Sequence, residues 1–486
     1  MKPLNITIPI FRSRKGLDMN QKAFLLPALL ASLLWGCTLA PSYSKPAAPV
    51  PAGWPTGAAY QNAKTTASIP TAAELPWREF FTDGRLREII DIALNNNRDL
   101  RLAILNVEKA RAMYGIQRAE LWPSVNAAGS GSRERVPADL SNTGSARTNE
   151  RYDVKMGISA WEIDFFGRIQ SLKDRALEEY LATDQARRGA QIMLVSSVAN
   201  TYLALATDRE NLKLAAATLE TQETSYKLIR KRQDVGLASG LDLQRAKSQV
   251  DAARGEVARS MQLAAQDENA LTLLVGSALP PPLLPDNLGS VILPPEISAG
   301  LSSELLLSRP DVMAAEHRLK GANANIGAAR AAFFPRISLT ATLGTASADL
   351  SGLFKGGSET WSFVPVIAMP IFDARTWSAY DVTKVEKEIS VAQYEKAIQA
   401  AFREVADALA VRGTVNQQIA AQQSLVEAVQ ETYRLSYSLY TKGIDSYLGA
   451  LDAQRSLYGA QQGLIALHFA RFTNLVTLYK VLGGGT

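Results

Sequence analysis

Two stretches decide the fold. Asn97-Arg98-Asp99-Leu100 opens a helical run that closes at Leu121-Trp122-Pro123, and Ser308-Arg309-Pro310-Asp311-Val312 opens another that closes at Phe334-Pro335. Asp99 to Pro123 and Asp311 to Pro335 are both 24 residues, and Gly115 with Gly327, then Arg118 with Arg330, recur in the same register at an offset of 212. Further on the offset becomes 207: Phe165-Phe166-Gly167-Arg168 aligns with Phe372-Asp373-Ala374-Arg375, Val235-Gly236-Leu237-Ala238-Ser239 with Lys442-Gly443-Ile444-Asp445-Ser446, and Gly276 with Gly483. A fixed spacing of this kind marks a duplicated structural unit. The two copies run over 77–279 and 296–486, joined by a proline-rich linker at 280–295.

Proline placement separates two textures within each copy. No proline lies between Pro137 and Pro280, and none follows Pro370. Because proline breaks helix interiors, these gaps permit long helices. From Gly167 to Gly236 is 69 residues, as is Ala374 to Gly443. A continuous helix of that size reaches roughly 100 Å at 1.5 Å per residue. The returning segments carry a seam at three- and four-residue steps: Leu243, Ala246, Val250, Ala253, Val257 and Ala264, then Leu451, Tyr458, Ile465, Phe472, Leu475, Tyr479 and Leu482. That is a coiled-coil pattern with many small knobs.

Outward from the helices, each copy has a period-two region. Tyr152, Val154, Met156, Ile158 and Ala160 alternate with Asp153, Lys155, Gly157 and Ser159. Ile337, Leu339, Ala341 and Leu343 alternate with Arg336, Ser338, Thr340 and Thr342, and Trp361, Phe363, Ile367, Met369 and Ile371 lie at alternate positions of a fourth segment. The segment after Pro123 alternates more weakly. Polar loops at 130–150 and 345–360 are expected to join the strands as hairpins. One apolar and one polar face suits strands between lipid and water, and equally an ordinary half-buried sheet. Four strands cannot close a barrel, and lipid does not tolerate open edges, so the membrane reading requires several chains to share one barrel.

The N-terminus sets the compartment. Lys2, Arg12, Arg14, Lys15 and Lys22 precede an apolar run from Ala23 to Leu34 that is too short to span a bilayer, as in a secretory signal over 1–36. The segment carries +4 of the formal +5, so the remainder is nearly neutral and lacks the basic excess of a nucleic-acid binder. Leu34-Trp35-Gly36-Cys37 resembles a bacterial lipobox with Cys37, the single cysteine, as the acylated first residue of the mature chain. Thr38 rather than Asp follows, which by the sorting rule of such lipoproteins implies the outer membrane. Residues 37–76, with seven prolines from Pro41 to Pro76, read as an extended lipidated tether.

The lipobox, the duplicated helix–hairpin–long-helix-pair units, the Trp161-to-Arg168 segment, the Tyr479-to-Gly485 tail and the two turns at 235–244 and 443–457 together resemble the TolC family of outer membrane factors, in its OprM-like (NodT-type) branch. The likeness covers essentially everything after residue 36. It implies an α+β membrane protein: a homotrimeric 12-stranded transmembrane β-barrel, four strands per chain, continued by a long periplasmic α-helical barrel. It also implies the partners. These are a periplasmic adaptor (membrane fusion protein), an inner-membrane pump of the RND type, and outer-membrane lipid. Drugs, dyes and organic solvents are the implied cargo. Gly449 departs from members that carry a second aspartate there, so any acidic ring is single.

Candidate site residues fall at the two turns. Gly236 and Gly443 can end incoming helices, Ser239 and Ser446 can cap outgoing ones, and Asp242 suits a helix start. The resemblance adds a docking role for the adaptor at these five. Leu448, Asp452 and Arg455 share one helix face by their spacing, and the resemblance places that face on a periplasmic gate. The same three residues also fit a helix start with a routine surface ion pair. Catalysis is not expected. Only His317 and His468 are present, too far apart for a metal cluster, and there is no glycine-rich phosphate loop, so no cofactor, metal or nucleic acid is implied. The competing reading is a soluble periplasmic coiled-coil adaptor or structural protein.

Overall fold

The computed structural model describes residues 38–60, 75–292, 294–298 and 302–484; Cys37 and the signal segment lie outside them. In chain order the main elements are α1 (Gly84–Asn96), α2 (Arg98–Ala119), β1 (Val125–Val136), β2 (Arg147–Ile163), α3 (Arg168–Asp234), α4 (Gly240–Val275), α5 (Pro310–Ala331), β3 (Arg336–Ser347), β4 (Glu359–Ala368), α6 (Ala374–Thr441) and α7 (Tyr447–Val481). The run α2-β1-β2-α3-α4 repeats as α5-β3-β4-α6-α7. Only α1 lacks a full counterpart, reduced in the second copy to a 3-10 turn at Ser303–Ser308. The proline-free stretches are continuous helices, α3 with 67 residues and α6 with 68. Among the described residues two compact units emerge, each built from both copies: one from 38–43, Met113–Leu177 and Lys320–Lys387, the other from 44–60, 75–112, 178–292, 294–298, 302–319 and 388–484.

The first unit holds a four-stranded antiparallel sheet in the order β1-β2-β3-β4. Each copy supplies one hairpin, and β2 pairs with β3 to join them. The register sorts most side chains by polarity, with Val364 and Val366 falling on the polar face. Ala127, Met156, Leu343 and Trp361 form one row across the four strands, and Val125, Ile158, Ala341 and Phe363 the next. These apolar rows face outward, with Leu343 at 67% exposure and Trp361 at 77%. The opposite face carries Asn126, Gly157, Thr342 and Ser362, and Asp153 on it is only 7% exposed, held by Lys155 Nζ at 3.2 Å and Arg151 Nε at 3.4 Å. Oil outside and polar groups sheltered inside is the reverse of a soluble sheet, and is the arrangement a membrane barrel requires.

Two strand expectations need correction. The polar residues Ser130–Arg135 belong to β1 rather than to a loop, so the first connection shrinks to 137–146 and the second to 348–358. Ladder pairing of Ser130–Arg135 with Thr148–Asp153 overrides their polar character. The alternation in β2 also breaks before its end. Ala160 adopts φ 50°, its amide donates to Thr340 Oγ1 at 3.1 Å, and the register shifts between Ile158 and Trp161. This bulge returns Trp161, not Ala160, to the apolar face opposite Leu339. Below the sheet, Glu162 binds Arg168 at 2.8 Å and also Arg336, so one carboxylate ties the start of α3 to the start of β3. Phe166 stacks on Phe334 with ring centroids 4.8 Å apart.

The tether expected over 37–76 lies against the body in its described part. Within the first unit, Thr38 Oγ1 meets Ser171 Oγ at 3.2 Å, Leu39 O accepts from Arg330 at 3.1 Å and Pro41 O accepts from Asn323 at 2.7 Å. Within the second, Lys45 pairs with Glu316 at 2.8 Å, Pro51 O and Ala52 O accept from Ser303, and Trp54 stacks on Phe402. Prolines leave carbonyls without competing amides, and the body supplies the donors. Residues 61–74 lie outside the described part.

The second unit is helical, and its core repeats one joint. Asn97 Nδ2 donates to Leu274 O at 2.8 Å, while Arg309 Nη1 donates to Val481 O at 2.7 Å. Both donors and both acceptors are related by the sequence offsets, so the duplication reaches single hydrogen bonds. Asn97 also caps α2 by accepting from the Leu100 amide; Arg309 instead binds Asp311 and Glu404. The seams read in α4 and α7 are buried at Ala246, Val250, Ala253 and Ala264, and at Leu451, Ile465, Phe472 and Tyr479. Part of α3 is long and apolar enough to cross a membrane, but Val195, Val198, Tyr202 and Leu205 there are buried in the protein core.

Candidate functional site

The five residues at the turns and the three on α7 gather in the helical unit, where α3 hands over to α4 and α6 to α7. The two turns are built alike. After α3, Gly236 takes φ +77°, its amide bonds Gln233 O at 2.9 Å, and the Leu237 amide reaches back to Arg232 O at 2.7 Å. After α6, Gly443 takes φ +73°, its amide bonds Tyr440 O at 3.0 Å, and the Ile444 amide reaches Leu439 O at 3.0 Å. Both are glycine-terminated helix ends that tie off orphan carbonyls, and the left-handed φ is why glycine stands there.

The outgoing starts differ. Ser239 Oγ accepts from the Asp242 amide at 3.0 Å, and Asp242 Oδ2 accepts in return from the Ser239 amide at 3.4 Å and from Ser239 Oγ at 2.7 Å, a complete capping box. Ser446 occupies the equivalent N-cap position, but its side chain makes no cap bond. The expectation that Ser446 caps α7 is corrected for a local reason. Gly449 stands where the first copy has Asp242, so no carboxylate reaches back, and Asp445 Oδ1 accepts from the Ser446 amide at 2.6 Å instead. An added Cβ on Gly449 would lie 3.3 Å from Asp445 Oδ2.

Behind the turns lies an apolar cluster of Ile229, Ala246, Tyr440, Tyr447, Ala450 and Leu451. The Tyr440 and Tyr447 rings are 5.2 Å apart, and Arg232 lies over Tyr440 at 5.0 Å while donating to Thr441 O at 3.2 Å. Arg232 thus fastens α3 to α6. Burial, reinforced by neighbouring tyrosines, pushes the Tyr447 phenol up to about 12. The hydroxyls of Tyr440 and Tyr447 have no hydrogen-bond partner among the described residues.

Leu448, Asp452 and Arg455 are exposed together on one face of α7, with Leu448 at 40%, while Tyr447, Ala450, Leu451, Ala453 and Gln454 turn inward. Asp452 and Arg455 approach at 3.8 Å, and Arg455 Nε donates to Gln249 Oε1 of α4 at 3.2 Å. The exposed ion pair is worth at most about 1 kcal/mol. Arg455 is therefore shared between the acidic face of α7 and the neighbouring helix. The sequence reading missed four residues here. Val235, Leu237, Leu241 and Ile444 are large apolar side chains left exposed at the turns. The signal was available, since a turn that meets only water would carry polar residues. No group of three or more metal-ligating side chains occurs among the described residues, and His317 Nδ1 is taken up by Glu178 at 2.6 Å.

The family described as outer membrane efflux protein matches residues 89–277 and 301–484, the two copies found in the sequence. The chain belongs to this family. It is 50% identical over 466 residues to the toluene efflux pump outer membrane protein TtgC of Pseudomonas putida, covering 96% of each chain. It is 44% identical over 470 residues to the outer membrane protein OprJ of Pseudomonas aeruginosa, covering 96% of this chain and 97% of that one. Among solved structures, the open state of the Neisseria gonorrhoeae MtrE outer membrane channel superposes with a TM-score of 0.82 at 38% identity, over 92% of this chain and 98% of that one. This outer membrane efflux protein is the exit channel of a tripartite system, fed by an inner-membrane pump through a periplasmic adaptor. Its class is the trimeric one: three chains, four strands each, close one twelve-stranded barrel, and the long helices form a helical barrel. The soluble-adaptor alternative thereby falls.

Proposed function

We propose that the helical turns are the adaptor-docking and gating end of this channel, and that its cargo is drugs, dyes and organic solvents delivered by an RND-type pump. The observation that carries the reading is the exposed face of α7. Leu448, Asp452 and Arg455 present an apolar side chain, an acid and a base in succession, with Arg455 tied to α4 through Gln249. Three-fold symmetry turns each into a ring. Leu448 is the apolar constriction, three Asp452 carboxylates favour cations, and Arg455 relieves their mutual repulsion in the closed state. Opening moves the α7 starts apart under adaptor contact and needs no hydrolysis. Gly236, Ser239, Asp242, Gly443 and Ser446, with exposed Val235, Leu237, Leu241 and Ile444 around them, form the surface that receives the adaptor.

Single-channel recording in planar bilayers tests the gate. Leu448→Ala with Asp452→Ala is expected to raise conductance several-fold and weaken cation preference; wild-type conductance and selectivity in the double variant would place the constriction elsewhere. We further infer that Cys37 carries the lipid that anchors the chain in the outer membrane, on the strength of the lipobox and of Thr38 beside it. Labelled palmitate should enter the wild type and not Cys37→Ser, and equal incorporation in both would refute the assignment.

A further inference from the structure

We propose that a cavity between α3, α4 and α7 is a binding site for a small, neutral, hydroxylated aromatic molecule of the phenol class. The cavity has a volume of about 190 Å³. It opens because three helices meet at a point where their knobs are too small to fill the seam. Ala215 comes from α3, and Ala252 and Ala253 from α4. For scale, an apolar cavity of about 150 Å³ accepts benzene.

The lining specifies the occupant. Alanine methyls and the Tyr458 ring give flat apolar walls suited to an aromatic ring. At the α3 wall, Gln222 is 4% exposed, and its Oε1 has no hydrogen-bond partner among the described residues. A buried acceptor left unmet is costly, so an occupant whose donor the Gln222 amide turns to meet is favoured. Arg455 at the mouth offers a guanidinium to a ring face. Arg455 and Glu256 bring opposite charges to the lining, and Arg259 pairs with Glu256 at 3.2 Å, so a neutral phenol fits better than an ion. Water could supply the donor but not cover the alanine and tyrosine walls.

Occupancy would touch Arg455 and Gln249, the pair that ties α7 to α4. The binding itself does not depend on the gating role of Arg455, and it is tested without reference to conduction. The purified full-length channel in detergent is titrated with 4-fluorophenol and followed by fluorine NMR. Saturable line broadening is expected, displaced by excess phenol, and at least fivefold weaker for fluorobenzene, which has the ring without the donor. Gln222→Leu should erase the preference for 4-fluorophenol over fluorobenzene. Ala253→Leu fills the cavity and should abolish saturable binding of both; Thr218→Leu, at the cavity edge, replaces it if that variant fails to assemble as an SDS-resistant oligomer. Absence of a saturable component in the wild type would mean that the cavity holds water only. Binding unchanged in Gln222→Leu and in the filled variant would place the probe elsewhere. Either result overturns the proposal.

Discussion

Ser239 and Ser446 occupy matching positions in the two copies and differ in what they hold. Ser239 completes a capping box with Asp242, whereas Ser446 faces Gly449 and caps nothing with its side chain. Loss of an N-cap side chain costs about 1 kcal/mol, or about fivefold in a local opening equilibrium. Ser239→Ala should therefore speed amide hydrogen exchange in the first turn of α4 about fivefold, while Ser446→Ala leaves the first turn of α7 near its wild-type rate. Equal effects would mean that the structural asymmetry has no energetic counterpart. A second residue-scale test concerns the facing carboxyls of Asp208 on α3 and Asp267 on α4. Burial, then the charge of Asp208, pushes Asp267 up to about 6, and burial also raises Asp208. A carboxylate whose folded pKa lies above its unfolded value destabilises the fold when ionised. The penalty is fully present above about pH 6 and fades as pH falls towards the unfolded value. Asp267→Asn should therefore raise the thermal midpoint at pH 8, and the gain should shrink by pH 5. A gain that grows on acidification would contradict the shift. The sequence displayed Gly449 as a departure, yet not its consequence for Ser446, because a capping box is a relation between two side chains and a backbone direction. Nor could it pair Asp208 with Asp267, which lie on different helices.

For the elements, the decisive property is the two-faced sheet. Leu343 and Thr342 are chain neighbours on opposite faces, Leu343 in the outward row with Met156 and Trp361, Thr342 in the polar row with Gly157 and Ser362. Arginine on the lipid face near the bilayer midplane costs roughly 2–4 kcal/mol, and much less on a wet lumen face. Leu343→Arg should sharply lower the yield of heat-dissociable oligomer in outer-membrane fractions, and Thr342→Arg should leave it nearly intact. Similar yields would argue against a lipid-facing row at Leu343. Period-two patterning made β2, β3 and β4 legible, but not which face met lipid, since alternation alone is symmetric. Exposure of the apolar rows and shelter of Asp153 break that symmetry. The weak pattern of β1 follows from Ala127, Gly129 and Gly131, whose small side chains carry little hydropathy on the outward face. The bulge at Ala160 was hidden because hydrogen-bond register, not side-chain polarity, sets it. The long helices were the easiest elements to foresee, because absence of proline over a known length leaves few alternatives.

Across the whole molecule, the duplication read from glycines, prolines and offsets persists down to the Asn97–Leu274 and Arg309–Val481 hydrogen bonds. What the sequence left open was the path of the N-terminal segment. Its prolines suggested an extended tether, and donors such as those of Ser303, Asn323 and Arg330 reveal that its described part is strapped down. The sheet carries a final consequence. β1 and β4 each have a neighbour on one side only, so a single chain brings two bare edges to a medium that cannot satisfy them. Completion by three copies is then a condition of entering the membrane at all. It follows that inheritance of a defect is not graded by chain. If equal amounts of normal and faulty chains mix at random, only about one eighth of the trimers contain no faulty member. A variant that assembles but cannot open would therefore suppress a healthy gene in the same cell, whereas one that cannot form its strand edges would be recessive and silent.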